Sequence, residues 1–296
     1  YTTVGYVVRF ATSSDAPSLT PQLSLTGRAM SAAAAISSFM KGDERVSLTW
    51  RGRGDLKLVY AEASRNGEVR GYVTPPDLHQ PSSTPLGYAL RTGVLSVSQV
   101  LYNHAKPYQS VVELAEGDVN SDLEQYYRLS EQIPTLVAME TVLSGEGEVL
   151  FSGGVLIQTV PQTDAPSAST EHVIERYRAR LRELSPPSVL FLEETKSLEQ
   201  LLQVIEPHAI RADSYQKLLC DFHCRCSKQR FRDSLITLGR EQLTSVMNDV
   251  EQETICTCQY CNNRYIFSKP ELQQIIDQIS NTKSTTPNSE SISNKT

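Results

Sequence analysis

Hydrophobic and polar positions change period several times along the chain, and each change marks an element. Val4 to Phe10 is apolar and strand-like. From Leu23 to Lys41, Ala29, Ala33, Ile36 and Met40 recur at helical spacing and predict a helix. Arg45 to Trp50 then alternates, with Val46, Leu48 and Trp50 on one face of a strand. Arg51-Gly52-Arg53-Gly54-Asp55 turns the chain into a strand over Leu56 to Tyr60, and Asn66-Gly67 signals a hairpin into Val69 to Val73. Strand–turn–strand succession of this kind predicts an antiparallel sheet.

Thr74 to Gly87, rich in Pro and Ser, reads as a loop. Gly93 to Tyr102 and Tyr108 to Leu114 return to strand character. Asp118 is placed to cap a helix running to about Gln132, with Val119, Leu123, Tyr126 and Tyr127 on one face and Pro134 ending it. Thr135 to Leu143 and Val149 to Val160 form a closing strand pair around the turn Ser144-Gly145-Glu146-Gly147. Gly153-Gly154 inside the second strand predicts a bulge or a close backbone approach. Pro161 to Ser167 is a boundary candidate, and Ala168 to Leu219 is charged and helix-prone, broken by Pro186-Pro187 and Pro207. Further on, Phe231, Leu235 and Leu238 set a helical pattern, with a second helix around Glu241 to Val250. A short helix from Pro270 carries Leu272, Ile275, Ile276 and Ile279, and a Ser/Thr/Asn tail follows from Asn281.

Composition narrows the function classes. The 296 residues are 39% hydrophobic and 21% charged with a net charge of −6, ordinary for a soluble chain and unlike a phosphate-tracking one. No run approaches the ~18–20 apolar residues of a membrane span. The chain starts at Tyr1 without an initiator Met or signal-peptide architecture, so the start reads as a cut or processed end. All six cysteines (Cys220, Cys224, Cys226, Cys256, Cys258 and Cys261) lie in the last third. A disulfide-stapled secreted protein spreads its cysteines through the core; clustering points to a metal site or redox centre in a reducing compartment. The expected location is the cytoplasm, or an organelle lumen such as plastid or mitochondrion where a leader has been removed.

Two runs carry the chemistry. They are Phe222-His223-Cys224-Arg225-Cys226-Ser227 and Thr257-Cys258-Gln259-Tyr260-Cys261-Asn262, with the 31 residues 227–257 between Cys226 and Cys258. Four thiolates in two close pairs meet the requirement of a tetrahedral structural zinc site. Cys220 and Cys256 are left over, and nothing in the spacing forbids Cys256 from replacing Cys258. His223 is a weaker candidate ligand, and His79, His104, His172 and His208 are scattered. Thiolates held by a metal are open to oxidants, and adjacent pairs close to disulfides with little chain rearrangement. Loss of the metal would then cost a small module its folding energy.

The same residues resemble the thirty-three-kilodalton heat-shock chaperones regulated by oxidation. The first run is similar to that family's F-x-C-x-C-S signature, and Cys258 to Phe267 to its C-x-[YF]-C-x-x-x-Y-x-F signature. Gly52-Arg53-Gly54-Asp55-Leu56, Val69 to Val73, Tyr126 to Thr135 and Gly153 to Gln158 resemble its core, in the same order. Departures are Arg51, Arg53, Asp55 where Pro is common, the extra Cys220 and Cys256, and the missing short segment before the first strand. The resemblance implies one zinc ion held by Cys224, Cys226, Cys258 and Cys261. It implies disulfides Cys224–Cys226 and Cys258–Cys261 on oxidation, zinc release, and a loosened linker. It also implies ATP-independent holding of unfolding clients by an active homodimer.

The expected architecture is therefore α+β. Residues 1–165 form a mixed chaperone core with antiparallel sheets and packed helices, and 166–221 a metastable helical linker. Residues 222–280 form a small zinc-binding redox-switch domain, and 281–296 a disordered tail. Three alternatives compete. A nucleic-acid-binding zinc protein would use Arg225, Lys228, Arg230 and Arg232, but aromatic residues do not interleave with them. A zinc enzyme would need an open ligand position, and no Ser/His/Asp, His-Glu-x-x-His or Gly-x-x-x-x-Gly-Lys arrangement appears. The third is a zinc module that is structural only, without redox switching. No enzymatic activity, nucleic acid or membrane is expected.

Overall fold

One alanine-rich helix organises the N-terminal part of the computed structural model. The model describes residues 2–8, 20–75, 89–102, 104, 106–159, 167–184, 205, 218–249 and 253–283. These fall into two compact units, one ending at His223 and the other beginning at Cys224. The loop expected before Gly87, the boundary at Pro161, the Pro breaks of the linker and the tail beyond Lys283 lie outside the described residues.

Helix α1 (Thr20–Ser37) buries Leu25, Ala29 and Ala32 to Ala35 almost completely. Alanine is the strongest helix former, and its single methyl lets backbones approach closely on every side. The helix ends four residues before the expected Lys41, because the Ser37 and Ser38 hydroxyls donate to the Ala34 and Ala35 carbonyls (2.9 and 2.7 Å) and draw the chain into a turn.

Two antiparallel sheets pack on α1. The first is built from β2 (Arg45–Gly52), β3 (Leu58–Ser64), β4 (Glu68–Thr74), β5 (Gly93–Val100) and β6 (Tyr108–Glu113), in the order β6-β5-β2-β3-β4. Val46, Leu48 and Trp50 of β2 are fully buried, as their alternation predicted. Asn66-Gly67 makes the β3–β4 turn, with Gly67 in the left-handed region at φ +84°. The second sheet has the order β1-β8-β7, from β1 (Thr2–Val8), β7 (Thr135–Leu143) and β8 (Val149–Gln158). Gly154 is a close approach, since a side chain there would overlap the Ala138 carbonyl oxygen; the register shift falls at Val142/Leu143 instead.

Asp118 caps α2 (Val119–Tyr126) by accepting from the Asn120 N–H, and also pairs with Arg28 of α1 at 2.8 Å. A π-helical turn (Tyr127–Glu131) continues it, and Gln132 (φ +57°) stops it before Pro134. Buried Asp122 holds the turn ahead of α2, its Oδ1 accepting the N–H groups of Ala115, Glu116 and Gly117. Helix α3 (Ser167–Glu183) sets Ile174 and Tyr177 against Leu136, Val155 and Ile157, and Arg178 grips Glu124 of α2 at 2.9 Å. The first sheet gains one strand not foreseen from the sequence. β9 (Asp221–Phe222) adds in parallel to the outer edge of β4, across the boundary expected between the helical linker and the zinc-binding domain.

The second unit contains α4 (Lys228–Leu238), α5 (Arg240–Asp249), the hairpin β10 (Glu253–Thr257) and β11 (Arg264–Ser268), and α6 (Lys269–Lys283). Its buried core is small: Leu235, Leu243, Phe267, Leu272, Ile275, Ile276 and Ile279. Leu238 departs from its expected inward face and is 43% exposed, because Gly239 (φ +81°) ends α4 directly after it. Helix α6 begins with Ser268 donating both its N–H and its hydroxyl to the Glu271 carboxylate, at 2.9 and 3.1 Å, and runs on to Lys283. Among the described residues no helix is long and apolar enough to cross a membrane.

The tight seat of α1 is testable at Gly27, where a Cβ would come within 2.6 Å of Thr141 Oγ1 and 2.8 Å of Ser152 Oγ, which already bond each other. Gly27→Ala is expected to destabilise the N-terminal unit by about 1–3 kcal/mol in denaturant unfolding; an unchanged midpoint would contradict this seating.

Candidate metal centre

Two local structures aim four sulfurs at one point. In extended backbone, side chains i and i+2 leave on the same side. Cys224 and Cys226 stand two residues apart in the lead-in to α4; the residue after them, Ser227, is extended (φ −155°, ψ 159°) and caps α4 by accepting the Arg230 N–H. Cys258 and Cys261 sit on the turn between β10 and β11. There the Asn262 N–H donates to the Cys258 carbonyl and the Cys258 N–H to the Asn263 carbonyl, both at 2.9 Å, with Asn262 left-handed at φ +57°.

The Sγ atoms of Cys224, Cys226, Cys258 and Cys261 all lie within 4.8 Å of one another. The Cys224–Cys258 contact is 3.6 Å and the Cys226–Cys261 contact 3.3 Å, so both of these run across the two segments. Ligands about 2.3 Å from a tetrahedral zinc stand about 3.8 Å from each other, so the donor set and its spacing fit one ion. Four thiolates with no carboxylate or imidazole among them are also the set that soft or borderline metals select.

Tyr265 is the residue that spacing alone passed over. Its hydroxyl lies 3.1 Å from Cys226 Sγ, and its ring packs on Phe231 with centroids 5.0 Å apart. That bond draws Cys226 down to about 7, whereas burial pushes Cys224 up to about 12 and raises Cys261. The Tyr265 hydroxyl is itself pushed up to about 12 by its bond to Cys226, and so stays a proton donor at neutral pH. The available signal was its place in the strand that leaves the Cys258–Cys261 turn, two residues before the core residue Phe267.

The other candidates lie elsewhere. Cys256 packs against the core of its unit and Cys220 against that of the N-terminal unit, and burial raises both thiols. The His223 imidazole stands 3.8 Å from Glu68 and outside the sulfur cluster. Among the described residues this cluster of four is the one group of metal-ligating side chains that converge.

Known proteins share both the fold and this arrangement of sequence. The family model described as Hsp33 protein matches residues 12–268. The chain belongs to the Hsp33 family. It is 34% identical to the 33 kDa chaperonin of Geobacter sp. (strain M21) over 87% of this chain and 85% of that one. Identity is 29% to the 33 kDa chaperonin of Bacillus subtilis (strain 168), over 85% and 84%. The crystal structure of the 33 kDa chaperonin (heat shock protein 33 homolog) from Thermotoga maritima superposes with a TM-score of 0.76 at 25% identity, covering 88% and 87%. The resemblance read from the cysteine signatures and core landmarks is thus borne out, as is the α+β class. The relatives carry the name 33 kDa chaperonin, and the four converging cysteines of this chain are able to hold one metal ion.

The Tyr265 hydroxyl bonds a sulfur that would hold the metal. Removing such a partner costs about 10–100-fold in metal affinity. Tyr265→Phe, which keeps the ring on Phe231, is expected to fall in that range when zinc is competed against a chelator; wild-type affinity would contradict the assignment.

Proposed function

We propose that the protein is a redox-regulated, ATP-independent holdase, idle when its four thiols are reduced and zinc-loaded, and active when they are oxidised and zinc-free. The meeting of all four sulfurs from segments 34 residues apart, Cys224 to Cys258, supports this. Zinc bound there would supply a cross-link worth about 10–16 kcal/mol in small zinc peptides. Without such a tie the unit rests on seven buried apolar side chains.

Oxidation acts on the donors themselves. Two thiolates, two protons and one hydrogen peroxide give one disulfide and two waters, the sulfurs losing the two electrons that split the O–O bond. Which sulfurs join decides the consequence. Closure across the segments, along the 3.6 and 3.3 Å contacts, would keep them tied. Closure between neighbours, Cys224–Cys226 and Cys258–Cys261, removes every tie that the sulfurs make between the segments. We assign the neighbour pairing, in line with the family resemblance. The freed unit and the linker before it then loosen and expose apolar surface that captures unfolding clients. The active form is assigned as a homodimer, working in a reducing compartment such as the cytoplasm until oxidant arrives. No role is assigned to nucleotide, nucleic acid or membrane.

The test is aggregation of a heat-unfolding client with the protein either zinc-reduced or peroxide-oxidised, followed by disulfide mapping of the oxidised sample. Protection by the oxidised form alone, with Cys224–Cys226 and Cys258–Cys261 peptides, is the expected outcome. Equal protection in both states would reduce the cluster to a structural site. Cross-linked Cys224–Cys258 and Cys226–Cys261 peptides would overturn the release of the clamp.

A further inference from the structure

We infer, resting on the holdase function above, that the outer edge of β4 is an attachment point for the extended backbone of unfolding clients, masked in the reduced protein by β9. The masking strand is held by main chain. The Asp221 N–H donates to the Gly67 carbonyl at 2.9 Å and the His223 N–H to the Val69 carbonyl at 3.1 Å. Register is parallel, Glu68 opposite Asp221 and Val69 opposite Phe222. Gly67 lies so close beneath this segment that a side chain on it would overlap the Leu219 carbonyl oxygen.

Side chains contribute little to the seat. Leu219 is 92% exposed and Phe222 38%, and Asp221 is exposed as well. Cys220 between them packs on the core, and the His223 imidazole stands 3.8 Å from Glu68. What β4 recognises here is therefore an extended backbone with free amides, in almost any sequence. That is the one chemical feature every unfolding protein offers, and sheet edges take up such strands readily. β9 covers two of the seven residues of β4. Strand alternation turns the backbone groups of Gly71 and Val73 to the same edge as those of Val69, so a longer guest strand has further bonds to make.

Covalent continuity links this edge to the redox site. His223, the last residue bonded to β4, is followed directly by Cys224. While Cys224 is fixed in the sulfur cluster, the C-terminal end of β9 is fixed with it. Once the cluster opens, two backbone bonds, Cys220 and the His223–Glu68 contact are left to hold the strand, and it frays from an edge that a client then occupies.

Hydrogen exchange of peptides covering residues 66–74 and 218–224 tests this in three states: reduced with zinc, peroxide-oxidised, and oxidised in complex with heat-unfolding malate dehydrogenase. The Asp221 and His223 amides donate the two bonds that oxidation releases, so exchange over 218–224 is expected to speed up about thirtyfold, and client binding to slow exchange over 66–74. Exchange over 218–224 that stays slow on oxidation, or exchange over 66–74 that is unchanged in a complex that suppresses aggregation, would overturn the assignment. Slowing over 66–74 that appears without client as protein concentration rises would give the edge to a second copy, and so also overturn it. Failure of the same oxidised sample to suppress aggregation would remove the holdase function itself, and this inference with it.

Discussion

The convergence of four cysteine sulfurs is the constraint on which the C-terminal unit depends. Chains of this size bury too little apolar surface to be secure without a metal, a disulfide or a partner. Here seven side chains make the core, and the segments bearing the sulfurs enter it from opposite ends of the sequence. Cys224 and Cys226 precede α4, while Cys258 and Cys261 precede the strand that delivers Phe267 and the helix that delivers Leu272 and Ile275. A tie between them closes the whole unit. Under the proposed function the same tie is made of thiols, so the chemistry that would stabilise the unit would also be its point of attack.

The N-terminal unit is built on a different principle. Its core forms around the alanines of α1 between two sheets, with Trp50, Leu95 and Tyr126 completing it. All six cysteines lie outside α1 and both hairpins that bury it, and Cys220 is the one that touches this core. This core therefore holds none of the sulfurs of the cluster. The Glu124 carboxylate, shared between Arg178 and the Val137 N–H, further ties α3 to this stable part.

Much of this was legible in the sequence because local physics and tertiary structure agree. Alternation over Arg45 to Trp50, the alanine run, the Asp118 cap and the apolar positions of α6 each report a face that is in fact buried. The four sulfurs were readable because each pair is set by a single short turn or extended step. β9 was not, since two residues carry no period and their pairing with Glu68 and Val69 spans most of the chain. Tyr265 was visible as a motif letter, but its bond to Cys226 depends on how the hairpin folds over the lead-in to α4. Leu238 misled because helical spacing continues to the last residue while Gly239 turns the chain away.

The central claim is that oxidation unfolds the C-terminal unit and leaves the N-terminal unit intact. Backbone amide NMR of the reduced, zinc-loaded protein and of the peroxide-oxidised protein tests it residue by residue. The account predicts dispersed signals for residues 224–283 before oxidation and their collapse to unfolded positions afterwards, with residues 20–64 and 106–159 unshifted. Dispersed signals from both units in the oxidised protein would contradict it.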